Sequence, residues 1–110
     1  MRKYIRFALP IGLAFFFGCA TPGHGEKAEH GYATLQPVIE ALKRYKSDNG
    51  RYPNDLNELV PKYLSSFPRE IDGFPMEYSP AYNLHFDYTG PGYNHCDYSP
   101  NIYWTCGGSY

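Results

Sequence analysis

Two cysteines and two histidines near the C-terminus, Cys96, Cys106, His85 and His95, are by type the residues best able to do chemistry. Thiolates and imidazoles ligate soft or borderline metals, and paired thiols can close a disulfide. The spacing of these four fits no standard zinc pattern, so no metal and no cofactor is expected. His24 and His30 stand in a glycine-rich stretch and read as solvated. Asp48, Asp55, Glu58 and Asp72 could supply paired carboxylates for proton transfer. Their positions at expected helix ends and turns already account for them, because acidic side chains there accept from backbone N–H groups. There is no Gly-x-Ser-x-Gly elbow, no phosphate loop and no cysteine–histidine arrangement suited to a thiol nucleophile. The chain therefore reads as a binding protein rather than an enzyme, with no small-molecule substrate.

The N-terminus reads as an address. Arg2, Lys3 and Arg6 precede an apolar run from Phe7 to Phe17, broken only by Pro10 and Gly12. A basic start followed by a short apolar stretch is the pattern of a secretory signal, too short for a stable membrane span. Phe16-Phe17-Gly18-Cys19 resembles the lipobox of bacterial lipoproteins, with Phe16 in place of the usual leucine. That resemblance implies cleavage after Gly18, a diacylglycerol thioether on Cys19, and firm anchoring by several acyl chains. Ala20 after the cysteine implies outer-membrane sorting in a Gram-negative cell, with the domain facing the periplasm. Losing residues 1–18 takes three of ten Lys+Arg and none of eleven Asp+Glu, leaving a mature charge of −4. An acidic chain without a basic run is a poor nucleic-acid ligand.

With Cys19 assigned to lipid, Cys96 and Cys106 remain as a pair, and an exported compartment permits a disulfide between them. Such a bridge would contribute ~2–3 kcal/mol in the chain-entropy model and strap a C-terminus that would otherwise fray.

The elements that must position these groups follow from periodicity. Residues 19–33, with Pro22, Gly23, Gly25 and Gly31, read as a lipidated cysteine and flexible tether, and residues 34–110 as one domain. Leu35, Val38, Ile39, Leu42 and Tyr45 share a helical face over about 34–48, with Thr34 as N-cap and Gly50 at the C-terminal turn. A start nearer Glu26, with a kink at Pro37, is the alternative. A short helix is expected at about 55–60, where Asp55 and Glu58 have capping-box spacing. Phe74 to Ser79, Asn83 to Tyr88 and Asn101 to Cys106 read as strands, the last with Ile102 and Trp104 on one face. Gly90-Pro91-Gly92 is a turn. The expected fold class is α+β, one main helix packed on a small antiparallel sheet.

Residues 41–53, ending Asp48-Asn49-Gly50-Arg51-Tyr52-Pro53, resemble the helix end of the type II secretion major pseudopilins, the G-type subunits. Leu56-x-x-Leu59-Val60-Pro61-x-Tyr63-Leu64 is similar to the segment that follows there. Asp72-Gly73-Phe74-Pro75-Met76-Glu77-Tyr78 looks like the family's hairpin start, shortened and without its tryptophan. The likeness covers roughly residues 33–90 and implies a pilin-head-like domain. Two features depart from the family. Cys19-Ala20-Thr21-Pro22-Gly23 replaces the start of its long apolar helix and lacks the glutamate, which excludes polymerisation by the family mechanism. The stretch Tyr88-Thr89-Gly90-Pro91-Gly92 lacks the oxygen ligands of the family's calcium loop, and Asp87 and Asp97 alone do not make such a site. The resemblance implies that a Cys96–Cys106 bridge stabilises the C-terminus in place of the metal. The implied role is accessory to a secretion or pilus system. An inhibitor or immunity lipoprotein acting on an envelope toxin or hydrolase is the alternative. The expected contact surface is a Tyr-rich set of C-terminal loops carrying Tyr93, His95, Tyr98 and Tyr103.

Overall fold

The structure is a computed structural model that describes residues 21–81, 83–90 and 92–109. The expected signal segment 1–18, the lipid site Cys19, and Tyr82 and Pro91 of the expected turns lie outside the described residues. The fold is α+β, as the periodicity implies. Helix α1 spans Glu26–Asn49, a 3₁₀ turn spans Leu56–Leu59, and six strands follow: β1 Glu70–Ile71, β2 Phe74–Pro75, β3 Glu77–Ser79, β4 Asn83–Thr89, β5 Tyr93–Ser99 and β6 Tyr103–Ser109. Strands β1 and β2 pair with each other, and β3-β4-β5-β6 form an antiparallel meander.

The expected helical face is the buried one. Leu35, Val38, Ile39, Leu42 and Tyr45 enter a single core with Leu84, Phe86, Tyr88, Cys96 and Tyr98 of the sheet. The chain leaves the helix through Gly50, which is left-handed (φ 76°) and donates its N–H to the Lys46 carbonyl at 2.8 Å. A side chain at that backbone angle would be strained. Pro53 is then buried, and the Tyr78 hydroxyl donates to its carbonyl at 2.6 Å. Burial is the main reason that the phenol is pushed up to about 12.

The N-terminal boundary differs from expectation. Helix α1 begins at Glu26, the alternative start, rather than at Thr34, so residues 26–33 of the expected tether are helical. The reason is packing. Ala28 and Gly31 continue the buried stripe of Leu35 and Val38 by two further turns. Gly31 is where α1 crosses the sheet most closely, since a Cβ there would overlap Cε2 and Cζ of Phe86. Even the segment before the helix is held. The Gly23 N–H donates to the Tyr88 hydroxyl and the Gly23 carbonyl accepts from the Tyr32 hydroxyl, both at 2.8 Å.

The C-terminal third differs more. The expected strand 74–79 is split at Met76 into β2 and β3. The last strand is Tyr103–Ser109 instead of 101–106, which leaves Ile102 in the turn, 66% exposed, while Trp104 faces inward. Tyr93–Ser99, expected as loop, is the central strand β5. Cys96 and Cys106 stand directly opposite in β5 and β6 and are disulfide-bonded, with Cα atoms 4.1 Å apart.

The 3₁₀ turn replaces the short helix expected at 55–60. Asp55 accepts from the Asn57 N–H at 2.7 Å, and Glu58 reaches back to the Asn54 N–H at 2.8 Å. This is the reciprocal logic of a capping box, displaced by one residue. Glu58 also accepts from the Tyr45 hydroxyl at 2.7 Å, which ties the turn to α1. Its carboxyl pKa is lowered, first by that hydrogen bond and further by Asn54 and Arg51, against a smaller opposing effect of burial.

Candidate functional site

A strand sends alternate side chains to opposite faces. In β4 and β5 this alternation separates a core face from a chemical one. Leu84, Phe86 and Tyr88 point at α1, and so do Asn94, Cys96 and Tyr98. His85 and Asp87 of β4 and Tyr93, His95 and Asp97 of β5 therefore lie together on the opposite face. Antiparallel register places His85 opposite Asp97 and Asp87 opposite His95, so histidine meets aspartate across both rungs. Glu77 of β3 stands opposite His85 on its other side, and Gly107 of β6 stands opposite His95.

The distances make this a connected group. Asp97 Oδ1 lies 2.6 Å from His85 Nδ1, and Asp87 Oδ1 lies 3.0 Å from His85 Nε2. Both ring nitrogens can donate at once only in the imidazolium form. Burial opposes that charge, but the Asp97 hydrogen bond and the charges of Asp87 and Asp97 outweigh it and hold the His85 pKa above its ordinary value. His95 Nδ1 lies 3.5 Å from Asp97 Oδ2, and the two imidazoles stack with centroids 6.0 Å apart and planes 19° from parallel. The far side of the His95 ring overlies Gly107, where an added Cβ would come within 3.1 Å of Nε2. Beside the group, Glu77, Tyr78, Ser79, Asn83, His85 and Asp97 line an open cleft of about 240 Å³. Asn83 is buried, and its side-chain oxygen has no hydrogen-bond partner among the described residues.

The expected contact residues divide. Tyr93 (47% exposed) and Tyr103 (63% exposed) are surface residues, and His95 is exposed beside Asp97. Tyr98 is a core residue, 5% exposed, against the Trp104 and Tyr103 rings. It leaves the surface set because it alternates with Asp97. Cys96 and Cys106 are joined to each other, as expected, and are unavailable as ligands beside His85 and His95. Asp87 and Asp97, considered alone as calcium ligands, are held on His85. The remaining acidic candidates have structural partners. Asp48 accepts from the Tyr63 hydroxyl at 2.8 Å, Asp55 caps the 3₁₀ turn, Glu58 clamps it, and Asp72 lies 3.7 Å from His30. His30 is thus on the helix beside Asp72, while His24 is exposed just before it.

Asp97 is the residue that periodicity overlooked. The visible signal was the repeat of His-x-Asp in His85-Phe86-Asp87 and His95-Cys96-Asp97, which antiparallel pairing turns into a crossed square. The polar Asn94 on the inner face weakened the hydrophobic alternation that would have marked β5.

Fold and site together define a one-helix α+β domain carrying a histidine–aspartate face on an antiparallel meander. No family model, curated protein or solved structure matches the chain.

Proposed function

We propose that the chain is a lipid-anchored, periplasm-facing binding domain, built on the plan of a pseudopilin head without the polymerising helix and acting as an accessory of a secretion or pilus system. The observation that carries the reading is the helix exit. Asp48-Asn49-Gly50-Arg51-Tyr52-Pro53 places a left-handed glycine directly after a long helix whose buried stripe packs with an antiparallel sheet, and then a buried proline. The lipobox-like Cys19 supports attachment to the membrane by acyl chains. The solvent face of the sheet, with Tyr93 and His95 exposed and Tyr103 at its edge, supplies aromatic and polar groups suited to a protein partner. That same acidic, aromatic face favours the second reading, an inhibitor or immunity lipoprotein against an envelope toxin or hydrolase.

Intact-mass analysis of the protein extracted from cell envelopes tests the anchor. A mature chain beginning at acylated Cys19 is expected, and an unmodified Cys19 refutes the anchor. A photo-crosslinking residue at position 93 or 103 tests the role. Adducts with secretion or pilus components support the first reading, adducts with a toxin or hydrolase support the second, and a chain that yields no adduct refutes both.

A further inference from the structure

We infer that His85, His95 and Asp97 form a binding site for a borderline divalent cation, Zn²⁺ by preference, with Asp87 holding the His85 ring from behind. The site goes beyond the proposed binding role and does not depend on the anchor.

The geometry carries the argument. Asp97 lies between two imidazoles and presents one carboxylate oxygen to each Nδ1, at 2.6 Å and 3.5 Å. One ligand atom from each of the three residues falls within 4.8 Å of the others. A tetrahedral zinc ion with bonds near 2.0 Å needs ligand atoms about 3.3 Å apart. The approach of roughly 1.5 Å that this requires falls to His95, which is exposed and lies over Gly107, where no Cβ stands in its way. Asp87 then takes the part that carboxylates commonly play behind metal-bound histidines. It accepts from His85 Nε2–H at 3.0 Å, and this fixes the ring with Nδ1 toward the ion.

Electrostatics agree with the geometry. Asp87, Asp97 and, across the rung from His85, Glu77 gather carboxylates around the two imidazoles, which favours a cation there. On loading, the His85 Nδ1 proton passes to solvent while the Nε2 proton stays on the ring, donated to Asp87. The cation replaces the lost proton as the partner of Asp97. A second observation comes from Asn83. It is 3% exposed, it lines the same cleft as His85 and Asp97, and its side-chain oxygen finds no donor among the described residues. Water carried by a bound cation is a donor suited to it. Two imidazole nitrogens select against Ca²⁺ and Mg²⁺, which prefer all-oxygen sets. Three protein ligands leave the fourth position open to water or to a partner's side chain.

The test is a titration of the chain with ZnCl₂ at pH 7.5, in competition with a chromogenic chelator. It uses the Cys19→Ala form, so that no free thiol competes. One ion per chain is expected. His95→Ala and Asp97→Asn should each weaken binding at least tenfold, and Asp87→Asn about tenfold as a residue behind the ligand. His24→Ala should leave binding unchanged. Because His95 is exposed, His95→Ala keeps the fold, which circular dichroism checks independently. Co²⁺ should give visible absorption bands that His95→Ala abolishes. The proposal is overturned by an absence of saturable Zn²⁺ binding, or by one-to-one binding that survives His95→Ala.

Discussion

Gly31→Ala asks whether the N-terminal turns of α1 are packed helix or tether, and the sign of the result decides. In an exposed helix the change would stabilise by about 1 kcal/mol, because alanine is the better helix former. In a flexible tether it would do almost nothing to the fold. Here the added Cβ would overlap two atoms of the Phe86 ring and sit 2.8 Å from a third, Cδ2, and that ring is fully buried. Phe86 has no free space to yield into, since Tyr32 and Trp104 meet it edge-on at 6.0 and 5.4 Å between centroids. Forcing a methyl into such a contact costs about 1–3 kcal/mol, with the upper half of that range fitting a buried ring. Subtracting the propensity gain leaves a net loss of about 1–2 kcal/mol. At roughly 4–8 °C per kcal/mol for a domain of this size, Tm falls by about 5–15 °C. Thermal and urea unfolding of the Cys19→Ala chain with the disulfide intact measure it. Phe86→Leu destabilises on its own, yet the double variant should lose less than the two single losses combined, because the smaller side chain makes room for the methyl. A Tm that is unchanged or raised by Gly31→Ala refutes the close helix crossing.

Further outcomes follow from the other clamps. In metal-free buffer, Asp97→Asn should lower the His85 pKa, read by NMR titration of the ring protons. Because the folded pKa is raised, the stability that His85 contributes is full below its unfolded value of about 6.5 and is lost as pH rises through the folded value; Asp97→Asn should flatten that part of the stability–pH curve. Glu58→Gln should behave oppositely. Its folded pKa is lowered, so its contribution is present above the unfolded value and lost as pH falls through the folded one, and the gap between wild type and variant in thermal unfolding should close in acid. Replacing Cys96 and Cys106 together by alanine should cost about 2–3 kcal/mol, with hydrogen exchange rising most in β6. Equal protection of β4 and β6 in that variant would count against the strap.

The helix was legible because one apolar stripe, Leu35 to Tyr45, has a single period and ends on a glycine whose backbone angle requires it. Strand β4 was legible for a similar reason, since Leu84, Phe86 and Tyr88 alternate with polar neighbours. The helix start was obscured by Gly25, Gly31 and Pro37, all poor helix formers. At Gly31 the low propensity is the consequence of a close crossing, which only the tertiary contact with Phe86 reveals. Strand β5 was obscured because its inner face includes Asn94 and its flanks hold Pro91, Gly92 and Pro100, so local signals spelled loop while pairing on both sides made it the centre of the sheet. The histidine–aspartate face depended on that strand. His85 and Asp87 were placed correctly, but their partners could be assigned only once the register set His95 and Asp97 opposite them.

The grip on Gly23 has a consequence for how far the body can wander. Its amide and carbonyl are both bound to tyrosines of the globule, and the Thr21 carbonyl accepts from the His24 N–H; the four residue steps from Cys19 to Gly23 can span at most about 14 Å at full extension. A chain fastened by acyl groups at Cys19 would hold its globule close to the headgroups, a short leash in place of the long stalk that a loose stretch as far as the middle of the helix would give. Any partner would then have to come to the bilayer to meet it.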